Sequence, residues 1–498
     1  MKKIVYLPLD ERPCNADFVP KLFGDTELRI VSPAALGDKK TPAEWEPLRD
    51  FLLCECKDAD GLILSMDTLL YGGLIPSRLH RLSEETVLER LNLLRTLRKS
   101  NPSLLIYAFQ CIMRCPRNSS SDEEPDYYED YGAEIHLLGA AEHREKLGLG
   151  TADETAECRS KVPQNAWEDY TSRRTFNLSF NLRTLDMLGE GLIDFLIIPQ
   201  DDSARYGLTA MDQEKVRVHM AGLALGDRVL MYPGADEIGL ILTSRMALHF
   251  ANRRPRVYVK YAATGAPFVI PLYEDRPLGE TVKYHLTAAG CRVATSLSEA
   301  DFVLGLSAPG SNMREAAAQP VSDQGYQVER TLIELMIFLR DALDDGKIVI
   351  MCDNAYANGA DLELIALMDQ MKLMDRVHGY AGWNTSANTL GTAIAEGVHA
   401  LLSGMTDNHR DFIALRYVED AGYCGYVRGY LCEHELPKIG LDYFDVHERR
   451  GAARDLAKAA LETFVRQHMP SIAEHISIND AWMPWKRMFE IGLDVSWK

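Results

Sequence analysis

Phe195-Leu196-Ile197-Ile198-Pro199-Gln200-Asp201-Asp202-Ser203-Ala204-Arg205-Tyr206-Gly207 runs from a short apolar segment straight into two adjacent carboxylates. An apolar run of this length, followed by turn residues, reads as a buried strand, and α/β proteins keep their chemistry where such strands end. The pattern returns at Tyr6-Leu7-Pro8-Leu9-Asp10-Glu11-Arg12, Leu64-Ser65-Met66-Asp67, Met231-Tyr232-Pro233-Gly234-Ala235-Asp236-Glu237 and Ile350-Met351-Cys352-Asp353-Asn354. Acids that recur at strand exits predict one polar site assembled from distant parts of the chain.

Working outward, apolar runs at 3–7, 61–66, 104–110, 194–199, 229–233, 257–261, 301–306 and 348–352 read as strands, with another near 379–383. Longer helical patterns separate them, which gives an α/β class with parallel pairing. The expected architecture is a modified (β/α)8 barrel with insertions and a mainly helical C-terminal region. Multiple doubly wound α/β domains are the alternative, because segments 28–32 and 291–295 disturb a count of eight. A barrel would set Asp10, Asp67, Asp201, Asp202, Asp236 and Asp353 around one mouth, whereas separate sheets would divide them between crevices. The expected division is an α/β catalytic region over 1–400, with insertions at about 116–180 and 262–300, followed by helices over 401–498.

Several helices are legible in detail. Ser83 caps one, Glu84 and Glu85 fill its first turn, Arg98 and Lys99 its last, and Val87, Leu91, Leu94 and Leu97 form its buried stripe. Thr209 is expected to open another, with Asp212 in the capping-box position. The segment 323–344 carries Val328, Leu332, Leu335 and Leu339 at helical spacing. The acidic run Asp122-Glu123-Glu124-Pro125-Asp126 lies in the first insertion. Its charge suits a solvated loop, while its place after the third run would let it overhang the active face.

The 498 residues are 46% hydrophobic and 26% charged, with a formal net charge of −19. That field opposes a broad grip on nucleic acid or anionic lipid, so neither is an expected partner. It leaves room for an acidic-substrate pocket, since Arg12, Arg78, Arg114 and Arg205 stand near strand exits. The first acid, Asp10, comes too early for a secretory signal, and no window approaches the roughly 18 apolar residues of a membrane span. None of the ten cysteines forms a C-x-x-C pair, and scattered thiols suit a cytoplasmic chain.

Asp201 and Asp202 are the predicted catalytic pair. Held close in a cleft, two carboxylates oppose each other's ionisation, so one keeps a proton near neutrality and can donate it. Asp202, farther from the strand, is the expected general acid, with Asp201 orienting a substrate group; the pair could instead cap a helix or bind Arg205. Proton donation suits glycosidic cleavage, where the departing oxygen must be protonated. Asp236, Glu237 and Asp353 could supply a second carboxylate, or an N-acetylated sugar could use its own amide oxygen as nucleophile. Asp10, Glu11, Arg12 and Asn15 are candidate contacts to sugar hydroxyls, as are Asp67, Arg205, Asp236, Glu237, Asp353 and Asn354. Trp383 could form the floor beneath a sugar ring, with Asn384 reading a hydroxyl or acetamide, although large aromatics also pack beneath loops.

Convergent Asp10, Asp67, Asp201, Asp202, Asp236 and Asp353 could also hold magnesium or manganese for phosphoryl hydrolysis. No glycine fingerprint follows the first strand, and neither a G-x-x-x-x-G-K-[ST] loop nor a G-x-S-x-G elbow occurs. The expectation is thus a glycoside hydrolase acting on a carbohydrate or glycoconjugate without a cofactor. A divalent-metal-dependent phosphohydrolase and a noncatalytic carbohydrate-binding protein are the alternatives, and a homo-oligomer is compatible with the chain.

Two resemblances bear on this. Gln200-Asp201-Asp202 after the fourth apolar run resembles the paired acids of substrate-assisted hexosaminidase barrels, which implies the N-acetylhexosaminide route. More of the chain resembles a bacterial family, domain of unknown function 4127, through Pro8-Leu9-Asp10-Glu11-Arg12-Pro13-Cys14-Asn15, Gln200-Asp201-Asp202, Tyr232-Pro233-Gly234-Ala235-Asp236-Glu237 and Gly382-Trp383-Asn384-Thr385. That resemblance implies one integrated protein.

Overall fold

The apolar runs become strands almost residue for residue in the computed structural model, which describes residues 1–498. Strands β1 (Lys2–Leu7), β2 (Leu28–Val31), β3 (Gly61–Ser65), β4 (Leu105–Phe109), β5 (Phe195–Gln200) and β6 (Val229–Pro233) form a six-stranded sheet. Its order is β2-β1-β3-β4-β5-β6, and the pairs from β1 to β6 are parallel, with Leu7 opposite Leu64 and Ile198 opposite Met231. Every residue of β3 and β5 is buried. Parallel strands covered by helices on both faces need continuous apolar sequence, which is why these runs do not alternate.

Beyond them come β7 (Arg256–Tyr261), β8 (Arg292–Val293), β9 (Phe302–Ser307), β10 (Arg314–Glu315), β11 (Ile348–Asp353), β12 (Tyr356–Ala357) and β13 (Tyr380–Ala381). A five-stranded sheet has the order β13-β11-β9-β7-β8, and β10 pairs with β12 beside it. Its pairs are likewise parallel. The class is therefore mixed α/β with two parallel sheets. The segments that disturbed the count of eight are strands too: 28–31 flanks β1, and 292–293 flanks β7.

The two sheets belong to two units, each discontinuous in sequence. One comprises Met1–Glu11, Arg29–Gly239 and Tyr273–Asp275; the other comprises Arg12–Leu28, Leu240–Leu272 and Arg276–Lys498. In the first, Val5, Leu7, Leu62, Leu64, Ile106, Leu196 and Ile198 pack against Leu48, Leu52, Val87, Leu91 and Leu94 from helices. Burial of each such side chain contributes about 1.5–3 kcal/mol.

The helix over Glu84–Ser100 is as expected: Ser83 Oγ accepts the Thr86 N–H at 3.2 Å, and Val87, Leu91, Leu94 and Leu97 are buried. Two other expectations need correction. The helix after β5 spans Leu208–Leu223 with Gly207 at its cap, because Asp212 is drawn into a buried ion pair with Arg174 at 2.5 Å and is no capping partner. The expected helix over 323–344 breaks into Gln324–Gln327 and Leu332–Asp344, and Val328 at the break is 75% exposed. The C-terminal region carries helices, an 11-residue π-helix over Tyr417–Val427, and an antiparallel pair, β14 (Ile476–Trp482) and β15 (Gly492–Trp497).

Candidate functional site

β5 delivers Asp201 and Asp202 at its C-terminal end, and the backbone turns there through a left-handed Asp202 with φ 45°. Aspartate tolerates that conformation better than most side chains. The pair meets two arginines. Asp201 Oδ2 accepts from Arg78 Nη2 at 2.7 Å, and Arg114 Nη1 lies 3.8 Å from Asp201 Oδ2 and 3.2 Å from Asp202 Oδ2. About a fifth of each aspartate side chain is exposed, 20% for Asp201 and 22% for Asp202, whereas Arg78 is buried at 2%.

The arginines are held from behind by the acidic run of the first insertion. Arg78 Nη1 reaches Glu123 at 2.9 Å and Glu124 at 3.4 Å, and Arg114 reaches the same two at 2.9 and 2.8 Å. Glu124 has only 1% of its side chain exposed. The run is thus no solvated loop at these positions. Arg114 is pinned through its carbonyl, which accepts from Tyr170 Oη at 2.7 Å and Arg174 Nη1 at 3.0 Å.

Four carboxylates therefore surround two guanidiniums, two more negative charges than positive when all are ionised. Asp202 has its pKa raised by burial and then by the Asp201 charge, against the pull of Arg114 and Arg78. Asp67, in the first turn of the helix after β3, accepts the Cys111 N–H at 2.9 Å, and burial pushes its pKa up to about 7. Burial also drives the Cys111 thiol well above its usual range, and the charges of Asp67, Asp201 and Asp236 add to that effect. The exits of β3, β4, β5 and β6 thus share one electrostatic neighbourhood. Glu123 and Glu124 are the participants that sequence reasoning missed; buried arginines near strand exits require acids, and that was the available signal.

Other predicted residues of this unit have local tasks. Asp10 is buried after β1, and Glu11 Oε1 accepts the Lys39 N–H at 2.6 Å. Glu237 folds back on its own turn, Oε2 accepting from Ala235 N at 2.9 Å. Gly234, at φ 146°, makes room for it: a Cβ there would sit 2.0 Å from Glu237 Oε1. Arg205 is exposed and lies over the Tyr206 ring at 5.4 Å, while Arg78 and Arg114 hold the aspartate pair.

The remaining predicted residues belong to the five-stranded unit, so the six acids do not follow strands of one sheet. Asp353 is fully buried and closes its own loop: Oδ2 accepts from Asp361 N at 2.7 Å and Tyr380 Oη at 3.2 Å. Its pKa is raised by burial and by Asp361. Asn354, also fully buried, donates to the Ser386 carbonyl at 2.9 Å. Trp383 packs edge-on to Phe18 at 5.6 Å and spends its indole N–H on Thr392 Oγ1 at 3.1 Å, and together with Arg12 and Asn384 it lines a cleft within this unit. Asn384 adopts φ 50°, and its carbonyl accepts from Asn358 N at 2.7 Å. Arg12 lies over the Trp485 ring at 4.7 Å, and Asn15 is buried next to Cys14, whose sulfur is 3.7 Å from its Nδ2.

No group of three or more His, Cys, Asp or Glu side chains is arranged to hold a metal ion. No helix is long and apolar enough to cross a membrane. A family model described as a protein of unknown function (DUF4127) matches residues 4–494. No curated protein matches the sequence.

Proposed function

The chain belongs to the DUF4127 family, proteins of unknown function, and from its site we propose that it is a glycoside hydrolase with Asp202 as proton donor. The observation that carries this is the contrast between two neighbouring carboxylates. Asp201 is fixed by a 2.7 Å bond from the buried Arg78, while Asp202, with a longer 3.2 Å bond from Arg114, has its pKa raised by burial and by Asp201. Environments that separate the behaviour of two acids assign one to hold charge and the other to carry the proton. Asp202 then protonates the leaving oxygen, and Asp201, with Oδ2 on Arg78, keeps Oδ1 to orient the amide of an N-acetylhexosaminide.

The same reading makes the substrate a carbohydrate or glycoconjugate and the protein cytoplasmic, in keeping with ten free cysteines. The likeness to hexosaminidase barrels gains nothing from strand counting, because β2 makes β5 the fifth strand in the chain. For the fold, the order β2-β1-β3-β4-β5 supports doubly wound units over a single barrel, since it is the flavodoxin-like order. A divalent-metal phosphohydrolase has less support, because Arg78 and Arg114 already engage the pair that would have to bind the ion.

The test is a screen of defined glycosides with the wild type, Asp201→Asn and Asp202→Asn. Asparagine suits the left-handed backbone at 202, so that variant tests the proton and spares the turn. Metal-independent turnover lost in both variants is the expected outcome. Full activity in both ends the proposal, and saturable sugar binding without product, indifferent to Asp202→Asn, would leave a carbohydrate-binding protein.

A further inference from the structure

The five-stranded unit contains a small cleft of its own, walled by Arg12, Asn358, Cys424, Arg428, Phe489 and Glu490 among others. We propose that this cleft binds a small organic anion, gripping a carboxylate or phosphate group through Arg428. The proposal does not depend on the chemistry at Asp202.

Charge balance along the wall points to it. Arg487 is matched by Glu490 at 2.9 and 3.0 Å, and Arg416 by Glu419 and by Asp420 at 3.0 Å. Arg428 has no such partner: Nη1 donates to the Phe489 carbonyl and Nη2 to the Asn358 carbonyl, each at 2.6 Å. A guanidinium carries five N–H donors, and these two bonds orient it without neutralising it. A half-buried cation held by neutral acceptors has lost part of its hydration with no opposite charge in return. An anion in the cleft would supply that charge and accept the remaining donors in the forked geometry that suits both carboxylate and phosphate.

The backbone of the wall gives a second line of argument. The π-helix Tyr417–Val427 brings Glu419 and Cys424 to the cleft and ends immediately before Arg428. π-Helix is rare, appears mostly as single-turn bulges, and is frequent at functional sites. Opposite it, the loop after β12 turns through Asn358 at φ 64° and Gly359 at φ 158°, where a Cβ would stand 2.6 Å from the Cys424 carbonyl. The loop that supplies one of the two carbonyl clamps is thus pressed against the π-helix.

The test is calorimetric titration of the full chain with inorganic phosphate and, separately, with acetate, at constant ionic strength in chloride. Wild type is expected to bind at least one, and the one bound identifies the recognised group. Arg428→Gln should weaken binding by at least about tenfold, the size of one charge-assisted hydrogen bond, while Asp202→Asn should leave it unchanged. Should Arg428→Gln not fold, Cys424→Asp keeps both carbonyl clamps, sets a carboxylate in the wall, and is expected to abolish binding. The proposal is overturned by wild type binding neither anion, by equal binding in Arg428→Gln or Cys424→Asp, or by loss in Asp202→Asn, which would locate the anion at the arginines of the other unit.

Discussion

Arg78→Met removes the cation that joins the strand-exit acids to the first insertion. Its guanidinium is 2% exposed and serves Asp201 at 2.7 Å, Glu123 at 2.9 Å and Glu124 at 3.4 Å. Methionine fills much of the aliphatic volume, so the loss is electrostatic. Glu124, 1% exposed, is left with Arg114 alone, and the local ratio of acids to cations rises from four against two to four against one. Removing one partner of a buried pair costs about 3–5 kcal/mol, which is on the order of 10 °C in the melting of a unit this size. The loss should depend on pH with a definite sign. Asp202 is already raised by burial and by Asp201 and is held down in part by Arg78, so without Arg78 its folded-state pKa rises further above the unfolded value, and this part of the penalty is full at pH 8 and shrinks as Asp202 is protonated towards pH 5. Urea unfolding of wild type and variant at pH 8 and pH 5 measures it, and Arg78→Met combined with Glu124→Gln should recover part of the deficit. A cost below about 1 kcal/mol at pH 8, in the range of exposed pairs, would refute the reasoning.

Asp67 gives the clearest pH signature, since its folded pKa is raised to about 7 by burial. A raised acid binds its proton more tightly in the folded state, so stability falls as pH rises from about 4 to about 7. Asp67→Asn should therefore stabilise the protein at pH 8, by up to roughly 4 kcal/mol, and do little at pH 4; equal effects at both pH values in chemical denaturation would contradict the assignment. Activity that uses Asp202 as acid should decline on the alkaline side as that carboxyl loses its proton, so a kcat profile flat from pH 5 to pH 9 speaks against the role. Gly234→Ala should cost about 1–3 kcal/mol by displacing Glu237 from its turn, and an unchanged melting temperature would show that the turn adjusts freely.

The strands were legible because parallel strands covered on both sides read as unbroken apolar runs, as Gly61–Ser65 and Phe195–Gln200 do. The position of Asp201 and Asp202 followed from the same reading. Their partners did not: Arg78 lies 123 residues from Asp201 and 46 from Glu124, and local periodicity carries no information at that separation. Thr209 and Asp212 failed as a capping box for a related reason, since the acid found an arginine 38 residues away. Nor could composition show that Asp353 and Asp201 follow strands of different sheets, because sheet membership depends on which runs pair, and each run alone is equally apolar.

The discontinuity of the units sets an order of events during synthesis. Residues Arg12–Leu28 leave the ribosome early but belong to the unit completed by the C-terminal half. Phe18 packs edge-on to Phe412 at 5.4 Å, and Asp25 accepts from Thr406 Oγ1 at 3.1 Å. At roughly 5–20 residues per second, this short segment waits on the order of tens of seconds for those partners, with the buried Phe18, Leu22 and Phe23 exposed in the interval. A newborn chain of this protein therefore carries an exposed apolar segment, suited to a holdase, until its partners near Thr406 and Phe412 have been made.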